Sequence, residues 1–271
     1  MNPLATPDPW NLVADGYTED VPWMLEPIAS RALELAALPR GALVLDVACG
    51  PGTLAFLAAK TAAEVQAIDF SPEMIAHLER LRTAREIKNV TAQVGDGQAL
   101  PFPDARFDAA FSMFGLMFFP DRARGFRELH RTLVPGGKAV VSSWAPASAS
   151  SFMQVLFSAL RAADAAKPEV KPDPLSLENP AVFEREMREA GFAEVTIHRH
   201  VQEVPWTSAQ SLWARLSRGC APLMLMKRQL GPKAWGERER RICRHLEETL
   251  SKQTAPLDTT ALLAVGTRPL V

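Results

Sequence analysis

Through most of the chain, short apolar or β-branched runs alternate with longer segments whose apolar residues recur every three to four positions. That alternation predicts strands interleaved with helices, the pattern of a doubly wound α/β sheet. Leu43 to Val47 reads as the first strand, and its nearly continuous apolar run predicts burial on both faces. Thr53 to Lys60 reads as helix and Val65 to Asp69 as the second strand. Ser71-Pro72-Glu73 then opens a helix with a capping serine, a proline at the first helical position and an acid in the first turn. Val90 to Val94 and Phe107 to Met113 read as the third and fourth strands. Asp121 caps a helix with Phe126, Leu129 and Leu133 on one face, and Pro135-Gly136-Gly137 stops it before a fifth strand, Ala139 to Trp144.

Beyond Trp144 the pattern loosens. Ala149 to Ala163 reads as helix, Lys167 to Pro180 as a loop rich in Pro and acids, Val182 to Ala190 as helix, and Val195 to Val201 as a sixth strand. Trp206 to Lys252 reads as two or three helices and Ala261 to Gly266 as the last strand. If strands one to six are parallel, their carboxyl ends share the ligand side, so the helices that follow strand six are expected to form a lid there. The expectation is one domain over 1–271. It comprises an N-terminal cap (1–40), a binding core (41–145), a continuation of the sheet (146–204), a helical lid (205–256) and the last strand (257–271).

Composition narrows the function. The chain has 271 residues, with 30 Lys+Arg against 31 Asp+Glu and a formal net charge of -1, and no basic patch stands out that would hold a phosphate backbone. The longest apolar stretch, Ala109 to Phe119, contains Ser112 and Gly115 and is shorter than the roughly 20 residues that span a bilayer. The first residues carry no basic region followed by an apolar run, so the expectation is a soluble, cytoplasmic protein acting without nucleic acid or membrane, as a monomer or homodimer. Cys49, Cys220 and Cys243 lack metal-binding or disulfide spacing.

The chemistry concentrates at the first strand-to-helix turn. Gly50-Pro51-Gly52-Thr53-Leu54-Ala55 fits G-x-G-x-x-A, where glycines let backbone approach a ligand and a helix start attracts negative charge. Asp69, about twenty residues on, can accept both hydroxyls of a ribose. Both NAD and S-adenosylmethionine carry that ribose. Asp46 separates them, because a carboxylate immediately before the loop repels a pyrophosphate and suits the amino group of a methionine moiety. Gly95-Asp96-Gly97 after the third strand adds a carboxylate that can accept from an adenine amino group.

Four ordered segments, VLDVACGPG (44–52), VQAIDFSPEM (65–74), GDGQALPF (95–102) and LVPGGKAVVSSW (133–144), together resemble the class I S-adenosylmethionine-dependent methyltransferases. The likeness is greatest to the small-molecule branch containing the ubiquinone and menaquinone C-methyltransferases, with FGLMFFPD (114–121) resembling the segment after strand four there. Ala48 stands where that pattern has its first glycine, and Gly97 where alanine is commoner. The resemblance implies a Rossmann-like, mostly parallel seven-stranded sheet with an N-terminal helical segment and a helical lid inserted before the last strand. It implies that Ala48 and Gly50 present backbone to the methionine moiety and Asp69 holds the ribose. Phe70 and Met74 would pack near adenine, and Asp96 and Gly97 would read its edge. Gly52, Gly95 and Met113 complete the cofactor set, and Tyr17, ahead of the first helix, would close over it.

The acceptor side is apolar: Met113, Phe114, Met117, Phe118 and Phe119 follow strand four, Trp144 ends strand five, and Trp206 lies in the lid. Phe114, Met117, Phe118, Trp144 and Trp206 are the candidate acceptor pocket, although pockets and cores share this composition. Methyl transfer from a sulfonium needs a base only where the acceptor must lose a proton, and His200, near the ligand-side end of strand six, is the base candidate. His77 and His130 are expected on polar helix faces. His198 and His200 share a strand face but have no third ligand, so no metal is expected. The rival readings are a cofactor-binding protein without turnover and an NAD(P)-dependent oxidoreductase. The only tyrosine, Tyr17, precedes the glycine loop, which removes a Tyr-x-x-x-Lys catalytic pair from the second.

Overall fold

A computed structural model describes residues 2–164, 173 and 175–270. Residues 167–172 and 174 of the loop expected at 167–180 lie outside the described residues; its last part, 175–179, is a turn that buries Leu177. Seven strands form one sheet: β1 (Leu43–Val47), β2 (Glu64–Asp69), β3 (Val90–Val94), β4 (Phe107–Met113), β5 (Leu133–Trp144), β6 (Ala193–Glu203) and β7 (Asp258–Thr267). Their order is β3-β2-β1-β4-β5-β7-β6, with β7 antiparallel to both neighbours and the other six mutually parallel. The sequence places the order reversal between β1 and β4, so a crevice opens at the carboxyl ends of those strands.

Alternation along the strands sorts side chains into two layers. Val44, Val65, Ala67, Ala109, Phe111 and Val140 face α2 (Pro22–Ala36), α3 (Thr53–Ala58) and α4 (Pro72–Ala84). Leu45, Val47, Ile68, Ala110 and Val141 face α5 (Arg122–Thr132) and α7 (Pro180–Glu189). A separate core joins α6 (Ser151–Ala163), α8 (Ala209–Gly219) and α9 (Ala221–Leu250), with Trp213 stacked on Trp235 at 6.1 Å. α9 breaks at Gly231 (φ 72°) before Pro232, so the lid comprises three helical rods, at the upper end of the expected count.

Local chemistry explains most boundaries. The Ser71 hydroxyl accepts from the Met74 amide at 3.2 Å, and Asp121 caps α5 by accepting from Arg124 at 2.9 Å. One boundary moves: Pro135-Gly136-Gly137 does not stop a helix before β5 but forms an irregularity inside it. β5 starts at Leu133, the register to β4 shifts between Phe107 and Ala109, and Gly136 has φ +81°. Any side chain at Gly137 would meet the carbonyls of Val134 and Asp108 at 2.9 and 3.0 Å, so the bulge requires glycine there. The helix ends at Thr132 instead, where Arg268 of β7's tail donates to the Arg131 carbonyl at 2.8 Å.

The N-terminal segment carries two helices: α1 (Asp8–Asp20) lies over the carboxyl edge of the sheet, and α2 reaches that edge with its first turn before packing on the sheet face. α1 passes close to α8 at a pair of glycines. A Cβ on Gly16 would lie 2.4 Å from the Arg218 carbonyl oxygen, and one on Gly219 2.5 Å from Val21. Arg218 then pairs with Glu19 and, at 3.3 Å, with Asp20. On its other side α1 is tied to α4, where Ser71 donates to the Asn11 side chain at 2.6 Å and His77 meets Asp15 at 2.9 Å. His77, expected on a polar helix face, is therefore buried under α1. Among the described residues no helix is long and apolar enough to cross a membrane.

Candidate active site

A cavity of about 570 Å³ lies between the carboxyl ends of the strands and the cover formed by α1, α2, α6, α8 and α9, within the usual range for small-molecule sites. The cover is thus broader than the lid expected from 205–256, because α1 and α6 also wall it. Tyr17, Ala48, Gly50, Asp69, Phe70, Met74, Gly95, Asp96, Gly97, Met113, Phe114, Phe118 and Trp144 all line the cavity, as do Phe152 and Leu156 of α6 and Leu212 and Leu223 of the lid.

At one end backbone and carboxylates dominate. Gly50 (φ +54°) turns the chain so that its amide donates to Asp69 Oδ2 at 2.8 Å, while Ser71 donates to Oδ1 at 2.9 Å. Asp69 is only 6% exposed, and burial raises its pKa to about 6 despite those donors. Each oxygen keeps a lone pair for a further donor. Tyr17 lies inside α1 rather than ahead of the first helix, and its ring edge would lie 3.8 Å from a Cβ on Gly50. Burial, then the Asp69 charge, push its phenol well above the ordinary value, so it stays a neutral donor. Asp96 folds back on Gln98, with Oδ1 accepting from the amide at 2.8 Å and the side-chain nitrogen at 3.0 Å. Gly97 is required by Phe119, whose ring would lie 2.6 Å from a Cβ there.

Ala48 adopts φ +57°, the left-handed conformation that the usual glycine would take without strain. Room for its methyl comes from Gly115, where a Cβ would come within 2.3 Å of it. Phe114 also has positive φ (59°), held by its amide donating to Ser142 Oγ at 2.9 Å and by stacking on Trp144 at 4.1 Å. Backbone strain of this kind persists where surrounding structure over-determines it, commonly at functional sites.

Other expected site residues fall elsewhere. Asp46 is 1% exposed and is not among the residues lining the cavity; neither carboxylate oxygen has a hydrogen-bond partner among the described residues. Burial, followed by repulsion from Asp69, raises its pKa to about 8. Gly52 (φ +92°) is a packing glycine, where a Cβ would meet Leu78 and Phe56 at 2.9 Å. Met117 packs between the two layers, and Trp206 packs on the lid core; neither lines the cavity. His200 is also outside it, on edge strand β6 with its Nε2 3.2 Å from Gln202. β6 pairs only with β7, which separates it from β5 and from the β1–β4 crevice. His198 turns to Thr196, and His130 packs on Phe192 at 5.1 Å. Sequence reasoning missed Asp20, Arg215 and Thr259 as cavity residues. Their helical or strand positions carry no local motif, and only the fold brings them together.

The six parallel strands, the antiparallel seventh and the crevice at the switch point define the fold of the class I S-adenosylmethionine-dependent methyltransferases. Residues 44–137 match the family described as a methyltransferase domain. An uncharacterized protein of Mycobacterium tuberculosis (strain H37Rv) is 37% identical over 121 residues, 45% of this chain and 44% of that one. A demethylmenaquinone methyltransferase of Thermus thermophilus is 40% identical over 124 residues, 45% of this chain and 56% of that one. The chain therefore spans about half the length of the curated relatives it matches. Among solved structures, the YcgJ protein of Bacillus subtilis superposes with a TM-score of 0.60 at 18% identity, covering 89% of this chain and 97% of that one, a likeness of fold.

Proposed function

We propose that the protein transfers a methyl group from S-adenosylmethionine to an apolar or aromatic small molecule. The observation that carries this reading is that one cavity has two kinds of lining, which we read as its two ends. One end holds the Gly50 turn, Asp69 and Asp96, and the other is walled by Phe114, Trp144, Phe152, Leu156 and Leu212. Asp69 has free acceptor capacity for ribose hydroxyls, and Asp96 Oδ2 accepts no donor among the described residues, which leaves it for an adenine amino group. Asp46 acts from behind the loop. Its unpartnered carboxyl gains a reason to ionise when a cationic methionine moiety lies nearby. Phe70 and Met74 supply apolar walls at the same end.

The bound cofactor would supply an already activated sulfonium methyl. The chain's own residues then hold an acceptor in line with it and exclude water, and proximity of this kind is worth about 7 to 11 kcal/mol. Tyr17, Trp10 and Phe118 close the cavity from the α1 side, with Trp10 and Phe118 packed at 5.1 Å. Among the described residues no histidine or lysine lines the cavity, which favours an acceptor that needs no strong base. The same observation supports the second reading, a cofactor-binding protein without turnover.

The test is transfer of label from methyl-labelled S-adenosylmethionine into apolar small molecules of a cell extract. The expected result is a labelled product with the native chain and none with Asp69→Ala. Binding of S-adenosylhomocysteine with no labelled product from any fraction would favour the second reading.

A further inference from the structure

Arg215 is the only cation lining the cavity among the described residues. It rises from α8 with its guanidinium carbon 4.5 Å from the centre of the Trp23 ring, at the start of α2. Three carboxylates also face the cavity: Asp69 accepts from the Gly50 and Ser71 amides, Asp96 accepts from Gln98, and Asp20 is ion-paired with Arg218 at 3.3 Å although its Oδ2 accepts no hydrogen bond among the described residues. Arg215 has neither an ion-pair partner nor a hydrogen-bond acceptor among the described residues, and it is only partly exposed. The guanidinium sits over the Trp23 ring, a cation–π contact, and its N–H groups have no acceptor among the described residues.

A free guanidinium edge in a largely apolar wall is a matched receptor for a planar anion, because it can donate two parallel charge-assisted bonds to a carboxylate. Such isolated polar groups in an apolar pocket fix the orientation of a ligand. Trp23 fits the same ligand, since the indole that positions Arg215 also offers an apolar surface next to it. Its own N–H is satisfied by the Asp20 carbonyl at 2.7 Å and needs nothing from a ligand. Walls from Leu156, Leu212 and Phe152 leave the remainder of this end apolar.

We infer that Arg215 anchors the acceptor, and that the acceptor is an organic acid: an apolar or aromatic body carrying a carboxylate or similar anionic group. This deepens the methyltransferase reading and rests on it for the identity of the ligand as acceptor. The anion site itself is testable without it.

The full chain is titrated with naphthoate and with its neutral counterpart naphthamide, in the absence and presence of saturating S-adenosylhomocysteine. Naphthoate is expected to bind roughly tenfold more tightly than naphthamide, as one charge-assisted contact allows. Arg215→Met should abolish that preference and leave naphthamide and S-adenosylhomocysteine affinities within about twofold, while Arg215→Lys keeps part of it. Equal binding of the two probes to the native chain, or no binding of naphthoate, overturns the proposal. So does a tenfold loss of S-adenosylhomocysteine affinity in Arg215→Met, which would give Arg215 to the cofactor's carboxylate. A native chain that prefers naphthoate but ignores S-adenosylhomocysteine would retain the anion site and sink the methyltransferase reading.

Discussion

The two ends of the cavity are built by different means. The proposed cofactor end is made by short segments at the tips of β1, β2 and β3, where backbone amides and carboxylates sit in fixed turns. The proposed acceptor end is made by Phe114 and Trp144 at the tips of β4 and β5 together with side chains from α2, α6, α8 and α9, which are far apart in sequence and meet only after the sheet has formed. The first can change little without losing its geometry. The second can change its walls while the packing beneath them survives, so one scaffold can serve many acceptors.

The largest effect should come from the cofactor end. Asp69→Ala removes the acceptor proposed for two ribose hydroxyls, and two hydrogen bonds to a charged group at about 1.5 to 3 kcal/mol each predict at least a hundredfold loss of S-adenosylhomocysteine affinity. Calorimetry measures the loss, and a retained far-UV circular dichroism spectrum separates it from unfolding. At the acceptor end, Phe114→Ala removes the partner stacked on Trp144 and should cut turnover on an identified acceptor by tenfold or more, with S-adenosylhomocysteine affinity little changed. Trp206→Ala, outside the cavity, should leave both constants near native values. If Trp206→Ala lowered turnover as much as Phe114→Ala, the border of the acceptor end would be misdrawn.

The cover tests how the ends are held together. Gly219→Val would drive a side chain into Val21 and should cost about 1 to 3 kcal/mol of stability, read as a lower midpoint in chemical unfolding. An unchanged midpoint would show that α1 does not seat on α8 as described.

A further difference between the ends appears with pH. The pKa values of Asp46, about 8, and Asp69, about 6, both exceed the ordinary 3.8. The ligand-free folded chain therefore holds more protons than the unfolded chain between about pH 4 and 8, and these two groups lower its stability as pH rises through that window. A cationic methionine moiety favours their ionised forms, so S-adenosylmethionine binding near pH 7 should release protons and tighten as pH rises from about 6 to 8. Titration heats in two buffers of different ionisation enthalpy measure that release; heats independent of buffer would remove the carboxyls from cofactor recognition.

The smallest effect concerns Ala48. Replacing it with glycine relieves left-handed strain of about 1 to 2 kcal/mol but frees the unfolded chain, so a net gain of about 0.5 to 1 kcal/mol is expected in thermal unfolding.

The same contrast explains what could be read from the sequence. Residues such as Gly50, Asp69 and Asp96 lie in short segments whose order is their geometry, and the matched methyltransferase domain at 44–137 covers them. The strand count followed from periodicity, and the mostly parallel direction from the resemblance carried by those same segments. Trp206 and His200 misled because membership of the lid or of β6 does not say which way a side chain faces, and β7 intervenes between β5 and β6. His77 misled because α1, which buries it, is remote in sequence. Arg215 was invisible because an arginine on a helix has no signature until Trp23 is seen beneath it. The glycines at 16 and 219 were the available clue to the α1–α8 contact, since neither lies at a turn that needs one.

The most direct test is calorimetric titration of the full chain with S-adenosylhomocysteine and, separately, with NADH. Saturable one-to-one binding of S-adenosylhomocysteine, lost in Asp69→Ala, with no heat from NADH is the predicted result. Tight NADH binding with no response to S-adenosylhomocysteine would contradict the assignment of the cofactor end.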